Sequence, residues 1–194
     1  MTEARLVIAQ ASLPCEGERV SGDAVIVRRT ETRTLIALVD ALGHGHKAAM
    51  VAEQAVQALG ELSLENADAA GVITELHERL RGTRGAAALV CIVDGMNVEV
   101  CGVGNVELRS VGAHVPVVLM PGILGVGVRQ IRALSGTLAA DARLFVFSDG
   151  ISRRAPFSEL ARVSPQTACQ SLIERFRHSH DDASAVVVHY EEQP

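Results

Sequence analysis

The pattern of apolar and polar positions predicts a chain in which strands outnumber helices. Short apolar runs alternate with polar breaks through most of the sequence, which is typical of antiparallel strands. The break at Asp94-Gly95 is a typical hairpin turn. The predicted strands are residues 4–11, 23–27, 34–39, 86–93, 97–103, 106–111, 115–119, 131–138, 143–147 and 184–190.

Three segments instead repeat their apolar residues at helical spacing. Residues 46–62 and 66–80 predict a helical hairpin over one face of a sheet, and residues 164–177 predict a last helix. We expect Asn66 and Ser164 to cap the second and third of these helices. Strands and helices do not alternate as they would around a parallel sheet. The order predicts an α+β fold with two antiparallel sheets packed face to face and helices on the outsides.

Composition limits the class of protein. The chain has 194 residues, 48% of them hydrophobic, which suffices for one domain with a full core, and we predict a single domain over residues 1–194. The net charge of −5 argues against a nucleic-acid or anionic-membrane partner. No apolar run reaches the roughly 18 residues of a membrane span. The N-terminal segment does not resemble a signal peptide, so we predict a cytoplasmic protein with reduced cysteines.

Residues 35–49 carry the most distinctive pattern of the chain. An apolar run ends at Asp40, and the glycine-rich turn Gly43–His46 then leads into the first predicted helix. Burying a carboxylate costs several kcal/mol unless a partner compensates its charge. Within this stretch no cationic residue precedes Lys47. A metal ion is therefore a candidate partner for Asp40.

Other predicted strand ends carry acids as well, namely Asp23, Asp149 and the pair Asp181-Asp182. If these ends converge, several carboxylates share one pocket and need a cation. Mg²⁺ and Mn²⁺ prefer such oxygen ligands, and two ions bridged by Asp40 would suit an in-line displacement at phosphorus. Taken alone, Asp181-Asp182 is more typical of a solvated turn, and His44 of an exposed loop residue.

Five short motifs, in order, resemble the PPM/PP2C-type metal-dependent serine/threonine phosphatases, in particular their SpoIIE-like branch. They are Ser21-Gly22-Asp23, Val39-Asp40-Ala41-Leu42-Gly43-His44-Gly45, Gly104-Asn105, Phe147-Ser148-Asp149-Gly150 and Asp181-Asp182-Ala183-Ser184. Thr83-Arg84-Gly85-Ala86, Val103-Gly104-Asn105-Val106 and Gly122-Ile123-Leu124-Gly125 are similar to the RsbX-like stressosome phosphatases of that branch. The resemblance implies the family's four-layer α/β/β/α sandwich, in agreement with the predicted order of elements.

The resemblance also implies a set of metal ligands: Asp23, Asp40, Ala41, Asp149, Asp181 and Asp182. Two Mn²⁺ or Mg²⁺ ions are expected, with Asp40 bridging them and the backbone carbonyl of Ala41 on the second ion. Asp149 and Asp181 would hold the first ion, with Asp182 as the alternative to Asp181. Asp23 would act on the second ion through water.

The activity implied by the resemblance is metal-dependent protein phosphatase activity, with Asp40 and Asp149 as catalytic residues. A metal-bound hydroxide would attack the phosphorus of phosphoserine or phosphothreonine without a covalent phosphoenzyme. The substrates would be phosphorylated STAS-domain proteins of a stressosome-like complex in stress-response signalling. The alternative is a weak or inactive PP2C-like module that docks on signalling partners. Degenerate members usually lose Asp40, Asp149 or Asp181, and all three are present here.

Three features depart from the family pattern. Glycine commonly follows the bridging aspartate, whereas Ala41 has fewer accessible backbone conformations. Many members place a histidine two residues after that aspartate as a proposed general acid. Here Leu42 takes that position, and His44, two residues later, is the candidate general acid. No motif supplies a phosphate-binding arginine, and Arg5 and Arg19 are the candidates by position.

Overall fold

The computed structural model describes residues 4–192. The strands are β1 (Ala4–Leu13), β2 (Asp23–Arg29), β3 (Arg33–Ala41), β4 (Ala86–Asp94), β5 (Asn97–Val103), β6 (Glu107–His114), β7 (Leu119–Met120), β8 (Gly122–Ile123), β9 (Gly127–Val128), β10 (Leu134–Phe147) and β11 (Ala183–Glu192). The helices are α1 (His46–Glu61), α2 (Ala69–Arg79), α3 (Phe157–Leu160) and α4 (Pro165–Phe176). Within residues 4–192, no helix is long and apolar enough to span a membrane.

The main strands form two antiparallel sheets that are joined by one long strand. The first sheet has the order β2-β3-β4-β5, and in the second β11 and β6 flank β10, with β1 outside β11. Residues Leu134–Thr137 of β10 pair with β5, whereas Arg143–Phe147 pair with β11 and β6. The predicted pair of strands, 131–138 and 143–147, is therefore one bent strand. The chain shifts register at a bulge between Leu138 and Arg143 instead of ending there.

Three apolar cores separate the four layers. In β3, Ile36 and Leu38 pack between the two sheets, whereas Leu35 and Ala37 pack under α1 and α2. Alternate residues of β3 therefore face opposite cores. Because both faces of the strand are buried, its sequence is an unbroken apolar run. The helices α3 and α4 cover the outer face of the second sheet. The structure thus confirms the predicted α/β/β/α sandwich.

Several local predictions are corrected by tertiary context. The helix α2 is capped by Asp68, whose carboxylate accepts a hydrogen bond from the N–H of Gly71 at 2.6 Å, and not by Asn66. Both residue types cap helices well, and Asp68 directly precedes the buried Ala69. Ser164 caps α4 as predicted.

The run 115–119 and the segment after β10 also differ from the prediction. Residues 115–118 form no strand, because Pro116 lacks the N–H that a ladder needs. The short helix α3 was not predicted, since its four residues are too few to show a helical period.

The strand ends that carry the predicted acids lie at one end of the sandwich. Asp23, the first residue of β2, is directly opposite Asp40 near the end of β3. The last residue of β10, Phe147, is opposite Ala185 near the start of β11. The turn after β10 and the residues before β11 are therefore neighbours, which brings residue 149 close to residues 181 and 182.

Candidate metal centre

A cavity of about 470 Å³ opens at this end of the sandwich. Three of the predicted acids line it: Asp40, Asp149 and Asp181. The other lining residues are Leu42, Gly43, His44, Ala87, Gly104, Asn105, Gly122, Ile123 and His180. The structure therefore brings together three carboxylates that are widely separated along the chain.

The pKa of Asp40 is strongly raised. Burial is the largest cause, and the carboxylates of Asp23, Asp149 and Asp181 add to it, so that the pKa of Asp40 rises to about 9. Its carboxyl group is also hydrogen-bonded to that of Asp149, which favours the protonated form. At neutral pH such a group holds either a proton or a cation.

Asp149 is positioned by the turn that follows β10. The side-chain amide of Asn105 donates a hydrogen bond to Oδ2 of Asp149. The next residue is Gly150, where a Cβ atom would lie 1.9 Å from the carbonyl oxygen of Asp182, so no side chain fits. The backbone N–H of His178 donates to the carbonyl of Gly150 at 2.7 Å. This packing fixes Asp149 against the segment that leads into β11.

Asp181 and Asp182 are adjacent in sequence but have different surroundings. Asp181 lines the cavity, and burial, followed by the charge of Asp149, raises its pKa. Asp182 is 3% exposed, and its two oxygens accept hydrogen bonds from the N–H groups of Cys15 at 2.8 Å and Gly22 at 2.7 Å. The predicted metal role of Asp182 finds no support in this placement, because its carboxylate fastens the loop between β1 and β2.

Asp23 lies beside Asp40 but does not line the cavity. Its Oδ2 accepts a hydrogen bond from the hydroxyl of Ser148 at 2.7 Å, and that hydroxyl accepts one from the N–H of Ser184 at 3.0 Å. Burial raises the pKa of Asp23 to about 7, although the bond from Ser148 acts in the opposite direction. The other oxygen, Oδ1, is buried and has no hydrogen-bond partner within residues 4–192.

The donor set fits a hard divalent cation. The unpartnered oxygen of Asp23 and the mutually facing carboxylates of Asp40 and Asp149 offer oxygen ligands of high negative charge, which Mg²⁺ and Mn²⁺ prefer. In the part of the chain that is described, no three Asp, Glu, His or Cys side chains already surround one point. The carboxyl groups of Asp40 and Asp149 instead hydrogen-bond to each other.

Ala41 occupies the family's glycine position without strain. It ends β3 in extended conformation, and its N–H donates to the carbonyl of Gly22 at 3.1 Å. Asp141 is the one non-glycine residue with a positive φ angle among those described. A glycine is instead required at Gly45 before α1, where φ is 72° and a Cβ atom would lie 2.7 Å from Glu18. The departure at Ala41 therefore causes no backbone strain.

His44 lines the cavity and is held by a carboxylate. Its Nδ1 lies 2.9 Å from Oε1 of Glu18, and its side chain is 53% exposed. This pairing fixes one ring nitrogen and leaves Nε2 as the nitrogen available to a ligand. Glu18 was not predicted, because it lies in the loop between β1 and β2 and carries no local signal.

The arginines suggested by position do not line the cavity. Arg5 is opposite Glu191 in the β1–β11 ladder. The other end of that ladder, where Leu13 is opposite Ala183, is the end near the site. Arg19 is also absent from the cavity lining. The guanidinium of Arg84 lies nearby instead, where it donates to the backbone carbonyl of Leu42 at 2.7 Å.

Comparisons with known proteins show the family and the fold. The family model of Stage II sporulation protein E (SpoIIE) matches residues 30–191. No curated protein sequence matches the chain significantly. A solved structure from work on the bacterial stressosome, a modular system adapted to control secondary messenger signalling, is 30% identical. Its TM-score is 0.87, and the match covers 95% of this chain and 99% of that one.

Two further solved structures share the fold at lower identity. RsbX in complex with magnesium is 17% identical with a TM-score of 0.82, over 98% of this chain and all (100%) of that one. The catalytic domain of the serine/threonine protein phosphatase PstP in complex with two manganese ions is 15% identical with a TM-score of 0.73. That match covers 98% of this chain and 100% of the PstP domain.

Proposed function

The chain belongs to the SpoIIE family of metal-dependent PP2C-type serine/threonine phosphatases, and we propose that it acts on phosphorylated STAS-domain proteins of a stressosome-like signalling complex. The observation that carries this proposal is the set of three carboxylates, Asp40, Asp149 and Asp181, that line one cavity. The stressosome setting is supported by the relative that is 30% identical. We also propose a cytoplasmic location, since all four cysteines are free and buried.

We assign Mn²⁺ or Mg²⁺ to this cavity. The two ions would be held by Asp40, Asp149 and Asp181. The second ion would also be served by Asp23 and the carbonyl of Ala41. The complexes of RsbX with magnesium and of PstP with two manganese ions support this choice. When bound, the ions supply an acidified water and neutralise charge on the phosphoryl group.

The side chains around the acids hold them in position. Asn105 orients Asp149 and Ser148 orients Asp23 through the hydrogen bonds described above. Supporting contacts of this kind fix the direction of a ligand and tune its basicity. Leu42, which is 43% exposed, provides an apolar contact at the cavity for the substrate. A phosphorylated side chain that projects from a partner's surface could therefore enter and be oriented.

His44 is our candidate donor of a proton to the leaving serine or threonine oxygen. The carboxylate of Glu18 at 2.9 Å orients the ring through Nδ1, which leaves Nε2 for the leaving oxygen. Proton transfer by a positioned side chain typically contributes about 10²–10⁴-fold to a rate. We expect His44→Gln to lower kcat on a phosphoserine peptide more than on p-nitrophenyl phosphate, whose leaving group needs no proton.

The decisive test is hydrolysis measured as release of inorganic phosphate. A phosphorylated STAS-domain protein, a phosphoserine peptide and p-nitrophenyl phosphate are each incubated with the protein and Mn²⁺, with and without EDTA. We expect metal-dependent turnover of all three, with the STAS-domain protein as the best substrate. Turnover of the peptide alone would remove the STAS assignment, and absence of metal-dependent turnover throughout would favour the inactive docking module.

A further inference from the structure

A second cavity adjoins the metal centre and shares Asp149 with it. Its volume is about 440 Å³, and its lining consists of Asp149, Ile151, Ser152, Arg153, Arg154 and His178. The two cavities differ in charge. The second contains two arginines, whereas none of the described residues that line the first is an arginine or a lysine.

The two arginines lie at the tip of a well-anchored turn. The N–H of Ala155 donates to the carbonyl of Ser152 at 3.1 Å, so Arg153 and Arg154 occupy the central positions of a tight turn. The N–H of Ser152 donates to the carbonyl of Phe176 at 2.8 Å, at the end of α4. The turn is thus tied to the same framework that positions Asp149.

One guanidinium of this turn, that of Arg154, has no ion-pair partner among the described residues. Glu107, which is 8% exposed, forms ion pairs with both Arg153 and Arg109. Arg154 is exposed and forms no ion pair with any described residue. Because the chain as a whole carries a net charge of −5, this is a local positive site on an acidic protein. An unpaired guanidinium binds carboxylate or phosphate through two parallel hydrogen bonds.

A pair of stacked histidines connects the two cavities. His180 lines the metal cavity and His178 lines the arginine cavity. Their ring centroids are 5.6 Å apart. A peptide whose phosphorylated residue enters the first cavity would therefore place neighbouring residues beside Arg154.

We propose that the Arg153-Arg154 turn is a substrate-recognition subsite that binds an anionic group next to the phosphorylated residue. This inference rests on the proposed phosphatase function and adds a substrate class to it, namely phosphorylation sites with acidic flanks. The anionic group is the carboxylate of an acidic side chain or a second phosphate, and both present the same chemistry to a guanidinium. Arg154 contributes most of the preference, since Glu107 already offsets the charge of Arg153.

The test compares phosphoserine peptides that differ only in their flanking residues. One peptide has glutamates on both sides of the phosphoserine, one has alanines, and one has a second phosphoserine. The measured quantity is kcat/KM with Mn²⁺ for the wild-type protein and for Arg154→Ala. We expect the wild type to prefer either anionic peptide over the alanine peptide by about fivefold, the scale of one partly exposed ion pair. The preference should disappear in Arg154→Ala.

The matched control is Arg162→Ala. Arg162 is also exposed and without an ion pair in the described chain, but it lines neither cavity. This variant should keep the wild-type preference. Damage to the fold or to the metal site would lower turnover of all peptides together and leave their ratio unchanged.

The outcomes separate the anion-binding subsite from the phosphatase proposal. A preference for the doubly phosphorylated peptide alone identifies phosphate as the recognised anion and supports the subsite. Equal kcat/KM for all three peptides in the wild type, or a preference that survives in Arg154→Ala, would overturn it while leaving the phosphatase proposal intact. If the wild type hydrolyses no peptide, the proposed function fails first, and the subsite fails with it.

Discussion

The carboxylate of Asp182 and those of the cavity acids form two groups at the same end of the sandwich, and the groups differ in what faces them. Asp182 faces backbone: its two oxygens accept hydrogen bonds from Cys15 and Gly22. The cavity acids, Asp40 and Asp149, face each other and the neighbouring Asp181. No backbone N–H among the described residues donates to the side chain of Asp40.

Aspartate serves two purposes at this end of the sandwich. Backbone donors satisfy the hydrogen-bonding capacity of a carboxylate, so Asp182 joins two segments and stabilises the fold. Facing carboxylates repel one another in a poorly solvated site, which costs stability unless a proton or a cation intervenes. The cavity acids are therefore arranged for a ligand, whereas Asp182 is arranged for the chain itself.

The largest expected effect is on turnover in Asp40→Asn. Loss of a charge that would bridge two ions should lower kcat/KM with Mn²⁺ by about a thousandfold or more, with the fold retained. The measurement is phosphate release from a phosphoserine peptide, with circular dichroism as the check on folding. Asp94→Asn, in the exposed β4–β5 turn, is the control. Turnover within a few-fold of wild type in Asp40→Asn would refute the bridging role.

Asp182→Ala tests the other side of the comparison. It leaves the buried N–H groups of Cys15 and Gly22 without acceptors, at a cost of about 1–3 kcal/mol for each unsatisfied group. We expect the free energy of unfolding, measured in urea, to fall by about 2–6 kcal/mol for the two groups together. Asp40→Asn should not lower it and should raise it when no metal is bound, because folding at neutral pH then requires the Asp40 carboxyl to take up a proton, whereas the amide needs none. An equal loss in both variants would erase the distinction between the two groups.

Metal binding should stabilise the folded protein. A ligand specific to the folded state adds about 2.7 kcal/mol at a concentration one hundred times its Kd. We expect Tm to rise along a Mn²⁺ titration and to return after EDTA is added. The rise should persist in Asp94→Asn and be largely lost in Asp40→Asn. A Tm that does not respond to Mn²⁺ in the wild type would contradict a metal site.

The last expected effect is a pH dependence of stability in the presence of EDTA. The pKa of Asp40 is raised to about 9 when folded, against about 4 when unfolded. The folded chain therefore binds a proton that the unfolded chain releases. Its stabilising contribution is complete below pH about 4 and is lost as the pH rises toward 9, at no more than about 1.4 kcal/mol per pH unit.

The measurement is Tm between pH 5 and pH 9, a range chosen to lie within the window set by these pKa values, roughly 4 to 9. Wild-type Tm should fall more steeply with pH than that of Asp40→Asn. Because Asp23 also has a raised pKa, of about 7, some slope should remain in the variant. Identical slopes would show that Asp40 is not the group whose proton is lost.

The strands and helices could be predicted because their signals are local. The apolar runs of β3 and β4 and the Asp94-Gly95 turn between β4 and β5 are legible in the sequence alone. The continuity of β10 could not be predicted, because its first part pairs with β5 and its last part with β11 and β6. The competition between Asn66 and Asp68 for the cap of α2 was also beyond local reasoning, since both residue types suit that position.

Some residues of the candidate site could likewise be predicted from the sequence, and others could not. The acids could be proposed because each stands at the end of an apolar strand. The roles of Asn105 and Ser148 depend on partners far along the chain, Asp149 and Asp23 respectively. The proposed anion-binding subsite could not be predicted from the sequence, because no local pattern shows that Arg154 lines a cavity together with Asp149.

The order of the layers and the carboxylates at strand ends follow from the amino-acid sequence, since hydrophobic period and turn chemistry act over a few residues. Which carboxylates meet depends on the fold. Asp181 and Asp182 have the same local pattern, yet one lines the cavity and the other binds two backbone N–H groups. The reason is physical: the energy of a buried charge depends on the groups within a few ångströms of it, and folding alone brings those groups together.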